Sequence, residues 1–140
     1  MDDLITFVRA RLDEREKAAQ AMQRVYPTPW DIPDRGWMAR VTADGPNFLE
    51  VVRIEQDQAP EDAYLADVIE HVWRNAPDYA LDDIESKRRI VELYAEHSEY
   101  DDPGTSYEHA TGRICGLGEA VRLLAIPFAA HPDYREEWRP

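Results

Sequence analysis

Leu4 or Ile5, Val8, Leu12, Ala19 and Met22 recur at helical spacing, and the run then meets Tyr26-Pro27-Thr28-Pro29-Trp30. A proline removes a backbone donor and its ring clashes with the preceding turn, so two of them end the helix. The same pairing of amphipathic run with proline stop returns at Pro77 and at Pro103-Gly104. A chain punctuated in this way folds into several helices of moderate length. The spacing predicts them over 2–25, 61–76, 77–97 and 106–126.

Each helix carries its own signals. Asp2 or Asp3 is placed to cap the first, and Arg9 with Asp13 and Asp13 with Lys17 form i,i+4 pairs on its outer face. Pro60-Glu61-Asp62 opens the second, whose stripe is Leu65, Val68, Ile69 and Val72. The third turns Leu81, Ile84, Val91 and Tyr94 inward, with Asp83-Lys87 and Glu85-Arg89 as outer pairs. Thr105-Ser106-Tyr107-Glu108 matches a capping box, and Ala110, Ile114, Leu117, Val121 and Leu124 follow at steps of four and three. That stripe marks the fourth helix as the expected centre of the core, despite Gly112, Gly116 and Gly118.

Between the first two helices, Trp37–Thr42 and Phe48–Ile54 are rich in strand-forming residues and are joined through Asp44-Gly45, a hairpin signal. A lone hairpin is marginal in water, so it needs helices to lie on or a third strand from the Trp30 segment. The expected class is therefore α+β: mostly helical, about four helices, with a small antiparallel β-hairpin or sheet packed against them. No repeat, low-complexity tract or Gly/Ser linker divides the chain, so residues 1–140 read as a single domain closed by a docked tail, 127–140.

Charge is unevenly spread. The 140 residues carry a formal net charge of −13, and residues 44–108 hold 18 acids against five Lys or Arg, while both flanks sum to zero. Nucleic-acid binding works through clustered cations, so direct contact with nucleic acid is disfavoured, as is binding to an anionic membrane surface. No apolar stretch approaches the roughly 20 residues of a membrane span, and the acidic start lacks the pattern of a secretory signal. A single cysteine, Cys115, excludes an internal disulfide and fits a small core residue in a reducing, cytoplasmic setting.

Candidate chemistry is sparse. Pro77-Asp78 followed by Glu85-Ser86-Lys87 matches on paper a nuclease pattern in which two carboxylates hold a metal. In that pattern the second acid and the lysine lie on a strand, whereas Leu81 to Tyr94 has helical period. Asp67 and His71, at i,i+4, are the candidate metal ligands, with Glu96, His97 or His109 to complete a set. There is no His-Glu-x-x-His and no cysteine pair, and Ser86, Ser98 and Ser106 lack a nucleophile-elbow context. Gly112, Gly116 and Gly118 form no phosphate-binding signature. No catalytic residue, cofactor or metal is assigned on this basis.

Two features suit binding instead. Tyr134 and Trp138 in the closing stretch either clamp it to the domain or act as a partner hook, since Trp and Tyr are favoured interface anchors. Asp78, Asp82, Asp83 and Glu85 head the acidic middle, either a solvated surface or one that seeks a basic partner.

Three stretches together carry a resemblance: Asp2 to Glu14, Glu85 to Glu92, and Leu123 to Pro140, the last being the most specific. They resemble an uncharacterised family of actinobacteria and their phages, the domain-of-unknown-function family numbered 6221. Of that family's Thr-Pro-Gly-Pro-Trp turn the chain keeps Thr28-Pro29-Trp30, and where members have His-x-x-x-His-Asp-Pro it has His71 to Pro77 without the second His and the Asp. The resemblance implies an accessory protein and transfers no catalytic residue.

The expected function is a non-enzymatic protein-interaction or regulatory module that binds a protein partner or itself. An acidic nucleic-acid mimic that occupies a basic host protein is one alternative. A metal-dependent hydrolase built on Asp67 and His71 is the other.

Overall fold

The computed structural model describes residues 1–31, 38–43, 49–55, 65–99 and 107–140, with side chains described for 1–30, 67–98 and 109–140. The described residues form four α-helices, α1 (Asp2–Val25), α2 (Leu65–Arg74), α3 (Pro77–Glu99) and α4 (Tyr107–Ala125), followed by 3-10 turns at Ile126–Phe128 and Glu136–Trp138. The expected opening of α2 at Pro60–Asp62, the Asp44-Gly45 turn and the Thr105-Ser106 cap lie outside the described residues.

The chain divides into two compact units, one of residues 1–15 and 83–140 and the other of residues 16–82. In the first, Leu4, Ile5, Phe7, Val8 and Leu12 of α1 meet Ile84, Val91 and Tyr94 of α3, Val121 and Ala125 of α4, and Trp138. Every buried member of that core sits on a helix or a 3-10 turn, and no strand occurs among this unit's described residues. The i, i+4, i+8 row Leu4-Val8-Leu12 explains the arrangement, because it puts three large apolar side chains on one face of α1.

The expected α+β class is corrected accordingly. The protein is mostly helical, and its main core is helix on helix, because the long stripes bury far more apolar surface than a short strand ribbon can. What strand pairing there is belongs to the second unit and is brief: β1 (Trp30–Asp31), β2 (Met38–Ala43) and β3 (Leu49–Glu55) pair antiparallel in that order. Val41 stands opposite Val52, and the register shifts between Val41 and Thr42.

The second unit has a smaller cluster of Trp30, Ile69 and Ala76, flanked by Tyr26, Val72 and Trp73. Two indoles tie it together. The Trp73 N–H donates to the Trp30 carbonyl at 2.9 Å, and the Trp30 N–H donates to the Tyr26 carbonyl at 3.0 Å. Both bonds satisfy indole donors that burial would otherwise strand. Thr28-Pro29 is a cis peptide within this turn.

Several individual expectations change. The fourth helix is not the centre of its core: Ile114, Leu117 and Leu124 are only half-buried, while α1 supplies the largest buried set. Cys115 is exposed, because one step past Ile114 rotates it about 100° off the stripe. Met22 and Val68 are exposed as well. Among charges, Arg9 pairs with Glu92 at 2.6 Å and Asp13 with Arg88 at 2.8 Å, so both reach across to α3.

Candidate functional site

Residues 127–140 lie on α1 through aromatic contacts. Phe7 is buried on α1, and around it stand Phe128 at 6.4 Å, His131 at 5.7 Å, Tyr134 at 6.0 Å and Trp138 at 5.0 Å between ring centres. Three of these contacts are edge-to-face, which aligns ring edges with the electron-rich face. Trp138 is 6% exposed, so its surface is spent inside the protein. Arg135 pairs with Asp3 at 2.8 Å and lies over the Trp138 ring at 5.4 Å.

A polar centre sits beside the rings. Arg11, whose side chain is 11% exposed, hydrogen-bonds His131 through Nη1, holds Glu14 through Nη2 at 2.7 Å and lies over Phe7. Among the described residues, the Tyr134 hydroxyl and Arg11 Nε are buried without a hydrogen-bond partner. Nothing local in the sequence marks Arg11 or His131 as neighbours, because they are 120 positions apart.

A second group involves Tyr94. Burial pushes its phenol above the ordinary value, Arg122 opposes that shift, and Asp2 adds to it. Its ring passes so close to Gly118 that a Cβ there would stand 3.2 Å from it.

Among the described residues, nothing covers the opposite side of α4 at Gly112 and Gly116. At about 100° per residue, Gly112, Gly116, Glu119 and Leu123 fall on one stripe, with Cys115 beside it. Leu123 is 52% exposed and Ile126, one turn on, is 44% exposed. A Cβ at Gly112 or Gly116 would meet nothing within 4 Å, so backbone and apolar side chains are presented together.

The sequence-predicted residues are placed as follows. Asp67 and His71 are exposed on α2, and Glu96 and His109 are exposed while His97 is half-buried. Among the described residues, no three His, Cys, Asp or Glu side chains gather into a metal-holding group. Glu85 and Lys87 lie on a helix, and Lys87 holds Asp83 at 2.5 Å. Asp78 is in the first turn of α3, where its carboxylate accepts the Tyr79 N–H at 3.0 Å. Tyr134 is half-buried beside Trp138.

Cations interleave the acids. Besides the pairs already given, Arg74 holds Glu70 at 2.5 Å and Arg89 reaches Glu96 at 3.5 Å. The hydrogen bond that Arg9 donates holds the Glu92 carboxyl below its ordinary value, and the one that Arg74 donates to Glu70 raises the Arg74 guanidinium. Among the described residues no helix is long and apolar enough to cross a membrane.

Comparison with known proteins adds one result. No curated protein and no solved structure matches the chain. A family model does, described as a family of unknown function (DUF6221), and it covers residues 1–140. The chain therefore belongs to that family.

Proposed function

We propose that the protein is a non-enzymatic interaction module that binds a partner protein through the outer face of α4. One observation carries this reading: Leu123 and Ile126 are about half exposed beside the open backbone of Gly112 and Gly116. Missing Cβ atoms let a partner helix approach closely, and the two apolar side chains supply the area such a contact buries. Tyr134 and Trp138 make a weaker partner hook, because Trp138 already has its contacts within the fold.

The acidic-mimic reading has less support in the described residues, since Arg9, Lys87, Arg88 and Arg89 break up the acids around α3. The metal-hydrolase reading has none from geometry, as Asp67 and His71 stand exposed with no third ligand described. The setting that fits the interaction reading is the cytoplasm of an actinobacterium, with the protein encoded by the cell or by its phage, and the exposed thiol of Cys115 suits a reducing compartment.

The test is Leu123→Glu with Ile126→Glu, compared with wild type by affinity capture from native cells and by light scattering. Loss of a stoichiometric partner with unchanged helicity supports the reading, and loss of self-association would name a second copy as the partner. Identical capture and mass for both proteins would refute it.

A further inference from the structure

We propose that the occupant of the α4 face is a second copy of this chain, docked antiparallel on the same face. The inference rests on the α4 reading and adds the partner and its direction. The face differs along its length: its open backbone, at Gly112 and Gly116, lies in the first half of α4, and its exposed apolar side chains, Leu123 and Ile126, lie at the end. Two copies running the same way would set side chain on side chain and hold the glycines apart. Two copies running in opposite directions set the side chains of each toward the open backbone of the other.

Charge selects the register. Glu119 is exposed on the stripe and Arg122 is half-buried at its rim, one turn on. Among the described residues neither is in an ion pair, and Arg122 Nε is buried without a hydrogen-bond partner. By contrast Arg9, Arg88, Arg89, Arg135 and Arg139 all hold carboxylates. The near neighbour of Arg122 is the phenol of Tyr94, which burial keeps protonated, so it does not neutralise the guanidinium. A two-fold axis between residues 120 and 121 brings Glu119 of each copy level with Arg122 of the other, on the same flank of the contact. Two ion pairs then form from groups that one chain leaves unpaired, which is the self-complementarity an isologous contact requires.

The same axis fixes where other residues meet. Ile126 of one copy comes level with Cys115 of the other and beside its Gly116, and the two Leu123 side chains flank the axis. The two Cys115 residues are then about 16 Å apart along the helices, at about 1.5 Å per residue, which is beyond the reach of a disulfide. In a parallel pair they would stand side by side.

Ile126→Cys tests direction and register, because Cys115 supplies the second thiol. With oxidised glutathione as the oxidant, the variant should form about ten-fold more disulfide-linked dimer than wild type, read on a non-reducing gel. Wild type at about 1 mM chain, the weak limit of specific association, should scatter light as a dimer. Glu119→Arg, which sets like charge against Arg122, should scatter as a monomer at the same concentration. Equal cross-linking in wild type and Ile126→Cys, a monomeric wild type, or a dimer that Glu119→Arg leaves intact overturns the proposal. The α4 reading is decided separately. A monomeric wild type that captures a different protein, lost in Leu123→Glu with Ile126→Glu, refutes the second copy and keeps the face, whereas capture and mass unchanged by that variant refute both.

Discussion

The ring of Phe7 on α1 lies 5.0 Å from that of Trp138, tilted 45° to it, and joins the first helix to the last turn of the chain. Both rings are buried in the same helical core, so this contact holds residues 127–140 in place through packing.

Trp138→Ala should therefore cost about 3–5 kcal/mol, the usual range for emptying a buried aromatic site, and Trp138→Phe clearly less. Urea unfolding measures both. A cost under about 1 kcal/mol for the alanine variant would show that the contact contributes little.

Arg9 and Glu92 form an ion pair whose partners are each about two-fifths exposed, so its contribution is about 0.2–1 kcal/mol. Glu92 has its folded-state carboxyl held below the ordinary value of 4.5, so the unfolded state takes up its proton first. The stability it adds is present above that ordinary value and is lost as pH falls through the folded one. Glu92→Gln should be slightly less stable than wild type at neutral pH and equal to it in acid well below 4.5. Unfolding curves at the two extremes check this, and a gap that widens in acid would contradict it.

Trp73→Phe keeps an aromatic ring in the second unit but removes the donor to the Trp30 carbonyl. The expected loss is about 1–3 kcal/mol, since the acceptor is left unpaired next to buried Trp30. Hydrogen exchange should show faster opening of the Tyr26 to Trp30 turn. An unchanged exchange pattern there would mean that water satisfies the carbonyl equally well.

The helix α4 glycines should respond in opposite ways. Gly112→Ala and Gly116→Ala enter open space and should each stabilise the fold by about 0.8–1 kcal/mol through helix propensity. Gly118→Ala puts its methyl 3.2 Å from the buried Tyr94 ring and should gain less or lose stability. Thermal melts of the three variants decide it. If Gly116→Ala also weakens partner capture while raising the melting temperature, the open backbone acts in binding.

Much of the helical framework was legible because its signals are local. The Leu4-Val8-Leu12 row and the Ile84, Val91 and Tyr94 stripe repeat at the helical period, and Pro27 and Pro29 stop the first helix by their own covalent structure. At α4 a regular stripe is only half-buried: periodicity tells which face is apolar, but not how completely a neighbour covers it. The strand-rich run misled the class for a related reason, since β-propensity in a short segment does not say how much of the core it will line.

The Arg11 and His131 centre was not legible at all. Its members lie far apart in sequence, and each looks like an ordinary surface residue in its own segment. The ion pairs of α1 show the same limit, because helical spacing pairs Arg9 with Asp13, whereas in the fold they meet Glu92 and Arg88.

The sequence alone determined where the first helix stops before Pro27 and which helix faces are apolar, because those depend on dihedral limits and on spacing within a few residues. Tertiary structure alone decided which faces are covered, which charges pair and what surrounds His131. Those outcomes depend on the close approach of distant segments, and a side chain's neighbours, not its type, set what it can do.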